Sequence, residues 1–278
     1  MDTFLLDNAL RTFLAEDLEH GDITTEAIFT PQDRAQACFM ARHPMTVVGM
    51  ETVAARVFAL LDSQVACTGT MADGSRVEAG TELLRLNGAT RTLLRGERVA
   101  LNLVQRLCGI ATLTAAFVEA VQGLTVKIVD TRKTTPGLRM LEKYAIRAGG
   151  GHNHRYSLSD GVLIKDNHIA ACGSITEAVQ RVRLQVPHTI NVEVETDTLV
   201  QVEECLACKV GVIMLDNMDL ATMRRAVALI NGRALVEASG GVNLQTVRGI
   251  AETGVDIISV GALTHSAKAC DIGMDWRS

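Results

Sequence analysis

Aromatic residues are few in this sequence, and runs of basic residues are absent. Aromatic side chains make up 3% of the 278 residues, with one tryptophan and two tyrosines. The formal net charge is −5, and the lysines and arginines are scattered along the chain. Nucleic-acid surfaces are usually basic and often stack bases on aromatic rings. We therefore expect no nucleic-acid partner.

Long apolar runs are also missing. No continuous apolar stretch reaches the roughly 18 residues that a membrane span needs, so no membrane association is expected. The opening segment MDTFLLDNALRTFLAEDLEH is acidic and amphipathic. It lacks the basic start and the apolar core of a signal peptide. These absences predict a cytoplasmic protein.

The seven cysteines are odd in number and scattered, which fits a reducing compartment better than a disulfide framework. Cys205 and Cys208 form a Cys-x-x-Cys pair inside the segment TLVQVEECLACKVG, which has a helical pattern. In a helix this spacing simply places both thiols on one face. We interpret the pair as structural rather than as a redox or zinc site.

Two patterns meet near residue 110. Before it, a helix over Leu5–Glu19 should end at Gly21; short strand-like pieces follow, and a long helix should begin at about Thr90. After residue 124, apolar strands alternate with helical segments, which predicts βαβ units and a parallel sheet. The spacing of twenty-odd residues favours a barrel. The six predicted strands are VKIV, GVLI, INVEVE, GVIML, ALVEAS and DIISV.

Polar side chains follow every one of these strands. In α/β barrels the carboxyl ends of the strands meet at one mouth, where the chemistry takes place. A glycine-rich loop between the first two strands adds His152, His154 and Arg155. The residues at the successive strand ends are Asp130, Thr131, Arg132 and Lys133; Lys165, Asp166, Asn167 and His168; Glu193 and Glu195; Asp216 and Asn217; Glu237, Ser239, Gly240 and Gly241; and Ser259 and Gly261.

These residue types indicate a ligand with several negative charges. The last two strand ends, EASGG and SVGAL, offer free backbone N–H groups before predicted helix starts, which is typical of phosphate sites in barrels. Glu195 and Asp216 can bond sugar hydroxyls or hold Mg²⁺ on a diphosphate. Arginine and lysine pair with carboxylates and phosphates. The positively charged or chargeable residues of the mouth are Arg132, Lys133, His154, Arg155 and Lys165.

Other interpretations of the same residues stay open on spacing alone. Lys165 could form a Schiff base, as in aldolase-like barrels. His152, His154 and His168 could ligate a metal, although their spacing is not a specific zinc pattern. A regulator that binds phosphosugars would use the same cations without catalysis. The loop of the common phosphoribosyltransferases is a poor match, because cations stand here in place of its paired acids.

Several motifs together resemble one family. In chain order they are GERVALNLVQRLCGIAT, DTRKTTPGLR, KYAIRAGGGHNHR, LIKDNHI, VEVE, IMLDN, EASGG and ISVGALTHS. With the opening LAEDLEHGDITTEAI, they are similar to quinolinate phosphoribosyltransferase, the decarboxylating enzyme of de novo NAD synthesis, over nearly the whole chain. The resemblance implies transfer of phosphoribosyl from phosphoribosyl diphosphate to quinolinate with decarboxylation. The products would be nicotinate mononucleotide, diphosphate and CO₂.

The resemblance also implies an architecture. An N-terminal α/β sandwich domain, residues 1–110 joined by residues 266–278, would precede an incomplete, seven-stranded α/β barrel over residues 111–265. Since the pattern contains six strands, the seventh is expected near residue 111 or beyond residue 262. A homodimer is implied in which the sandwich of one subunit covers the barrel mouth of the other, and a hexamer is compatible with it.

Roles for single residues follow from the resemblance, motif by motif. The residues expected to bind quinolinate are Arg98 of the partner subunit, Arg132, His154 and Arg155. The expected catalytic residues, around phosphoribosyl diphosphate and Mg²⁺, are Lys133, Lys165, Glu195 and Asp216. Mg²⁺ would be held through the diphosphate, with Glu195 and Asp216 as candidate ligands. The residues expected to complete the substrate site, chiefly around the 5′-phosphate, are Thr131, Ser239, Gly240, Gly241, Ser259, Val260 and Gly261.

Overall fold

The computed structural model describes residues 1–277, which form alternating helices and strands. A π-helical segment, Met50–Ala54, leads into the third helix. The helices are α1 Thr3–Leu18, α2 Ile23–Ile28, α3 Ala55–Leu61, α4 Thr90–Ala120, α5 Arg139–Ala148, α6 Asp166–Cys172, α7 Ile175–Gln185, α8 Leu199–Ala207, α9 Leu220–Ile230, α10 Val247–Ala251 and α11 Ala262–His265. The strands are β1 Arg34–Ala41, β2 Met45–Thr46, β3 Ala66–Thr68, β4 Arg76–Val77, β5 Glu82–Ala89, β6 Lys127–Val129, β7 Val162–Ile164, β8 Val192–Thr196, β9 Val212–Asp216, β10 Leu235–Ser239, β11 Ile257–Ser259 and β12 Ile272–Arg277.

The chain divides into two compact units. Unit 1 comprises residues 1–115, 135–150 and the described residues from 267 onward; unit 2 comprises residues 116–134 and 151–266. The domain boundaries expected from the sequence differ at residues 135–150, which they assign to the barrel. These residues belong to unit 1 because Glu142 on α5 is fully buried and pairs with Arg106 on α4. Close packing adds to this, since a Cβ on Gly149 would lie 2.5 Å from the carbonyl oxygen of Ala111.

Unit 1 contains an antiparallel sheet of four strands in the order β12-β1-β5-β3. Strand β5 alternates between buried and exposed residues, as expected for a sheet with one face on the core. The core includes Phe39 and Phe58, whose rings meet edge to face with centroids 6.1 Å apart. The C-terminal strand β12 pairs with β1 along its length, so the end of the chain completes the N-terminal sheet, as the resemblance implied.

Helix α4 is the one described helix long and apolar enough, by length and composition, to cross a membrane. Its most apolar window is 56% buried inside the protein. Buried residues on α4 include Leu93, Val104 and Ile110, all at 0% exposure. A core helix satisfies the same length and composition criteria as a membrane span. The long helix predicted from about Thr90 is therefore present and packs as a core element.

Unit 2 contains a sheet of six strands, all parallel, in the order β6-β11-β10-β9-β8-β7. All six strands predicted from the sequence are present. The expectation of a seventh strand near residue 111 or beyond residue 262 was wrong: those segments form α4 and α11, and β12 belongs to the other sheet. The additional parallel contact is a single bridge between Val129 and His152 beside β6. No closed barrel forms among the described residues, since β7 has one partner strand.

Side chains at their N-termini determine where several helices of unit 2 begin. Ser174 accepts a hydrogen bond from the Glu177 amide at the start of α7, and Asp219 accepts one from the Thr222 amide at the start of α9. Such caps satisfy amides that have no partner within the helix. Because all six strands are parallel, their carboxyl ends lie at one edge of the sheet.

The Cys-x-x-Cys pair has the structural role predicted for it. Cys205 lies on α8 and is fully buried, and Cys208 is the C-terminal cap of that helix. Burial raises the pKa of Cys205 to about 12, so this thiol is not a reactive thiolate near neutral pH. All seven cysteines are free thiols.

Candidate active site

A cavity of about 560 Å³ lies at the carboxyl ends of the parallel strands of unit 2. The structure brings twelve of the residues predicted from the sequence together in its lining. They are Thr131, Arg132, Lys133, His154, Arg155, Lys165, Glu195, Asp216, Ser239, Gly240, Gly241 and Ser259. Four further residues complete the lining: Asn217 and Glu237, which the sequence placed at the mouth without a role, and Leu163 and Met214, which it did not single out.

Three of the predicted residues are not in this lining. Val260 is buried directly after β11, and Gly261 precedes α11. A Cβ on Gly261 would lie 3.1 Å from Cδ of Lys133, so Gly261 gives room to a lining residue without lining the cavity itself. Arg98 is exposed on α4 in unit 1.

After β6, the acidic residue Asp130 points away from the cavity, whereas the basic residues Arg132 and Lys133 line it. Asp130 is fully buried and accepts hydrogen bonds from Asn153 Nδ2 at 2.7 Å and from the His154 amide at 2.9 Å. It therefore anchors the glycine-rich loop to β6 and does not face a ligand. The next residues turn back, since Thr131 Oγ1 accepts from the Lys133 amide at 3.1 Å. This turn places Arg132 and Lys133 in the cavity wall.

Two guanidinium groups share the cavity. The pKa of Arg155 is lowered by burial first and by the positive charge of Arg132 second, while Glu193 opposes the shift. Arg155 is held in place by a hydrogen bond from Nη1 to the Gly161 carbonyl at 2.6 Å. Like charges this close repel each other, and an anion bound between them relieves the repulsion. The arrangement favours a ligand with at least two negative charges.

Lysine and carboxylate groups lie on the next strands. Lys165 Nζ donates to Glu195 Oε2 at 2.7 Å, which links the end of β7 to β8. Asp216 at the end of β9 accepts from Asn217 Nδ2 at 2.7 Å. Carboxylate oxygens are the donors that Mg²⁺ prefers, so Glu195 and Asp216 have the right chemistry to hold this ion or to bond sugar hydroxyls.

The two turns predicted as a phosphate cradle are open backbone segments. Gly240 and Gly241 have φ values of 95° and 59°, a left-handed conformation that favours glycine. Ser259 is buried at the end of β11, lines the cavity, and its hydroxyl faces Glu237. The expectation of helix dipoles at both turns was wrong for one of them, because α10 begins at Val247, several residues beyond Gly241. At the other turn α11 has only 4 residues, so backbone amides rather than long helices would bind an anion there.

Replacing Gly240 with alanine should strongly reduce activity. A Cβ at this position would overlap Asn217 Oδ1, and the positive φ adds strain. The turn would have to move away from β9, and with it the amides that face the cavity. We expect kcat/KM to fall by about 100-fold, since misplacing groups by about 1 Å has effects of that size.

Gly232→Ala is the matched control for this prediction. Gly232 also has a positive φ, 71°, but a Cβ there would meet nothing within 4 Å, and the residue is exposed after α9. This variant should lose some stability and keep its activity. Equal kcat/KM for the two variants would show that the Gly240 turn does not shape the site.

Sequence reasoning missed a buried cluster in the cavity wall. His154 Nε2 lies 3.2 Å from Glu193 Oε2 and 3.7 Å from Glu237 Oε2. Burial first and the charge of Glu193 second raise the pKa of Glu237 to about 7, while His154 and Lys165 oppose the shift. A signal was present in the sequence, since both glutamates interrupt apolar strands that should be buried.

The histidines do not form the metal site that was considered from the sequence. His168 Nδ1 accepts a hydrogen bond from the Lys165 amide at 2.9 Å and so caps α6. His152 contributes its backbone to the bridge with Val129. Among the described residues, His154 is the one histidine with two acidic neighbours, and the guanidinium of Arg155 nearby disfavours a cation there.

Comparison with known proteins identifies the family. The family model described as "Quinolinate phosphoribosyl transferase, N-terminal domain" matches residues 22–108, and the corresponding C-terminal domain model matches residues 110–275. The chain belongs to the quinolinate phosphoribosyltransferase family. The resemblance read from the motifs is thereby confirmed.

Curated and solved relatives agree with this assignment to the quinolinate phosphoribosyltransferase family. A "probable nicotinate-nucleotide pyrophosphorylase [carboxylating]" of Bacillus subtilis is 46% identical over 275 residues, 99% of this chain and 94% of that protein. The Mycobacterium leprae nicotinate-nucleotide pyrophosphorylase [carboxylating] is 44% identical and covers 96% of each chain. The crystal structure of NadC from Streptococcus pyogenes superposes with a TM-score of 0.94 at 42% identity and covers 100% of this chain and 99% of that one.

Proposed function

We infer that the cavity of unit 2 carries out the reaction after which the family is named. Phosphoribosyl passes from phosphoribosyl diphosphate to the nitrogen of quinolinate, and decarboxylation gives nicotinate mononucleotide, diphosphate and CO₂. One observation carries this inference: cations from three separate segments converge on one cavity that also holds three acidic side chains, the Gly240–Gly241 turn and Ser259. A dianionic pyridine acid and an activated sugar phosphate together need such a combination of charges.

Quinolinate binds beside the two guanidinium groups. Its two carboxylates are both ionised at pH 7. Arg132 and Arg155 offer forked donors that match carboxylates, and their mutual repulsion is relieved when the dianion enters. His154 lies next to Arg155, but both of its ring nitrogens are engaged by protein groups. Its role at quinolinate is therefore to shape the site rather than to donate a ring N–H to it.

Phosphoribosyl diphosphate lies on the side of the lysines and the glycine turns. Lys133 and Lys165 neutralise the leaving diphosphate, and Glu195 and Asp216 bond the ribose hydroxyls. Mg²⁺ is the proposed cofactor: held through the diphosphate, with Glu195 and Asp216 as candidate ligands, it supplies charge neutralisation on the leaving group. The groups proposed to receive the 5′-phosphate are Thr131, Ser239, Gly240, Gly241, Ser259, Val260 and Gly261.

The chemistry follows from this placement of charge. The pyridine nitrogen attacks the anomeric carbon as diphosphate leaves, and the carboxylates of Glu195 and Asp216 stabilise the positive charge that develops on the ribose. The ring nitrogen becomes cationic. The carboxylate at C2 then leaves as CO₂, because the electron pair left on C2 is stabilised by the adjacent positive nitrogen. Exclusion of water favours this step, since charge is dispersed as it proceeds.

The test of the function is a reaction with three components. The protein is incubated with quinolinate, phosphoribosyl diphosphate and Mg²⁺, and nicotinate mononucleotide, diphosphate and CO₂ are quantified. Equal amounts of the three products support the inference. In a parallel reaction, nicotinate replaces quinolinate. Turnover of nicotinate alone would indicate a non-decarboxylating relative, and binding without turnover of either acid would indicate a phosphosugar-binding regulator.

A homodimer with a shared site is the proposed assembly, and a hexamer of such dimers is compatible with it. The proposal rests on the resemblance, which assigns Arg98 of the partner subunit to the quinolinate site. The exposed position of Arg98 leaves its guanidinium accessible to a partner. The free thiols suit a cytoplasmic location.

A shared site predicts recovery of activity in mixed dimers. Arg98→Ala and Lys165→Ala should each be nearly inactive. In a dimer with one copy of each, one of the two sites carries both substitutions and the other carries neither. Random pairing after co-expression should therefore restore about a quarter of the wild-type activity.

Two differently tagged copies allow the mixed dimer to be purified and its kcat compared with that of both parents. A mixture of two Lys165→Ala copies is the control and should stay inactive. If the mixed dimer is as inactive as its parents, Arg98 does not act across the interface.

A further inference from the structure

Glu237 is a carboxyl group in the cavity wall for which the proposed ribosyl transfer has no use. The residue is 2% exposed, and its Oε1 has no hydrogen-bond partner in the described part of the chain. Glu193 is also buried, and its Oε1 likewise has no such partner. The two carboxyls and the ring of His154 place ligand atoms within 4.8 Å of one another.

His154 lies between the two glutamates and is held through both ring nitrogens. Its Nδ1 accepts a hydrogen bond from the Arg155 amide at 2.7 Å. Its Nε2 lies 3.2 Å from Glu193 Oε2 and 3.7 Å from Glu237 Oε2, so the two carboxyl groups approach each other around one imidazole nitrogen in a buried place.

Two buried carboxylates in such proximity do not both stay ionised near neutral pH. One proton is therefore held by the pair. The groups that face Glu237 come from four directions: Glu193 on β8, His154 on the glycine-rich loop, Lys165 after β7 and Ser259 on β11. Burial and Glu193 raise the pKa of Glu237 to about 7 against the opposing effects of His154, Lys165 and Ser259. Glu237 lines the cavity and Glu193 is not part of that lining, so Glu237 is the member of the pair that can present a proton to a bound ligand.

Decarboxylation requires a proton at the end. When the C2–carboxylate bond breaks, the electron pair remains on C2 and CO₂ leaves, so C2 must gain one H⁺ to give the product. A guanidinium group is a poor proton donor in proteins. Lys165 is engaged by Glu195. A general acid acts best when its pKa lies near the working pH, and Glu237 fulfils this condition.

We propose that Glu237 delivers the proton that replaces CO₂ on the pyridine ring. The O–H bond of Glu237 breaks, the proton passes to C2, and Glu237 is left as a carboxylate that regains a proton from solvent before the next turnover. No oxidant or reductant is needed. The proposal rests on the proposed function, because it concerns the second half of that reaction.

Glu237→Gln separates the two halves of the reaction. The amide keeps the shape of the side chain but cannot supply an acidic proton. Without a nearby acid, the C2 carbanion recombines with CO₂ more often than it is protonated. In rapid-quench experiments, net CO₂ release should therefore fall by about 100-fold relative to diphosphate release. The N-ribosylated diacid should accumulate. Glu237→Asp keeps a carboxyl and should recover part of the CO₂ release.

Glu252→Gln is the control. Glu252 is exposed at the C-terminal end of α10, where it pairs with Arg248, and it does not line the cavity. It should release diphosphate and CO₂ in the wild-type ratio. If Glu237→Gln also releases CO₂ and diphosphate in the wild-type ratio and no N-ribosylated diacid accumulates, the proposal is overturned. A merely structural role of Glu237 would lower both products together and would overturn it too.

The pH dependence of the wild type gives a test that needs no Glu237 variant. CO₂ release should decline as pH rises through about 7, where Glu237 loses its proton. Glu193→Gln removes a negative charge beside Glu237. Loss of that charge favours ionisation of Glu237, so the decline in CO₂ release should move to lower pH. A flat profile, or an unchanged one in Glu193→Gln, would contradict the proposal. A wild type that releases no diphosphate would instead refute the proposed function.

Discussion

Arg132→Ala should lose quinolinate binding almost completely. Arg132 lies in the cavity wall, and its charge lowers the pKa of the neighbouring Arg155, so the two guanidiniums act on the same space. Truncating one partner of a buried charge pair costs about 2–5 kcal/mol. We therefore expect the Kd for quinolinate to rise by about 100-fold or more, with the KM for phosphoribosyl diphosphate changing much less.

Isothermal titration with quinolinate and steady-state kinetics measure the two effects. Arg132→Lys should recover only part of the affinity, because an ammonium lacks the forked geometry of guanidinium. Arg224→Ala, at an exposed position on α9, removes the same charge elsewhere and should change neither constant. Near-normal turnover of Arg132→Ala would refute the role of Arg132 at quinolinate.

The parallel sheet of unit 2 was predictable because its strands are apolar and separated by helices of regular length. The polar residues that end these strands were predictable as one site for the same reason, since parallel strands end at the same edge. Twelve of them do line one cavity. The alternation of strands and helices does not show which individual residues pair outside the strands. The isolated bridge between Val129 and His152 could therefore not be predicted from that alternation.

Residues 135–150, which the sequence assigns to the barrel, pack within unit 1 for a related reason. Local pattern places α5 after β6, but its packing depends on a pair far away in the sequence, Glu142 with Arg106, and on the closeness of Gly149 to Ala111. Contacts of this kind are decided by tertiary structure. The same is true of the link between His154, Glu193 and Glu237, whose members lie on three different elements.

The contacts of His154 differ from the role that its sequence motif implies. The resemblance assigns it to quinolinate binding, and it does line the cavity. Its Nδ1 accepts from the Arg155 amide, and its Nε2 faces buried glutamates. The ring thus fixes the position of Arg155 and of the acidic pair, and this was not readable from the HxH spacing.

Lys165→Ala should slow ribosyl transfer by about 100- to 1,000-fold, the usual effect of removing one preorganised group that stabilises developing charge. Lys165 Nζ donates a hydrogen bond to Glu195 Oε2 at 2.7 Å, so its nitrogen is engaged by a carboxylate. A Schiff-base lysine needs a free nitrogen lone pair to attack a carbonyl. The geometry therefore favours electrostatic stabilisation of the leaving diphosphate over the aldolase-like alternative.

Single-turnover release of diphosphate measures the loss, and borohydride trapping with mass spectrometry measures imine formation. Lys127→Ala is the matched control, because Lys127 lies at the start of β6 and is exposed at the opposite end of the sheet. It should keep the wild-type rate. If borohydride with a sugar phosphate labels Lys165 covalently in the wild type, the amine is a nucleophile after all. In that case the ion pair with Glu195 must open during turnover, and the aldolase-like reaction is the better account of this cavity.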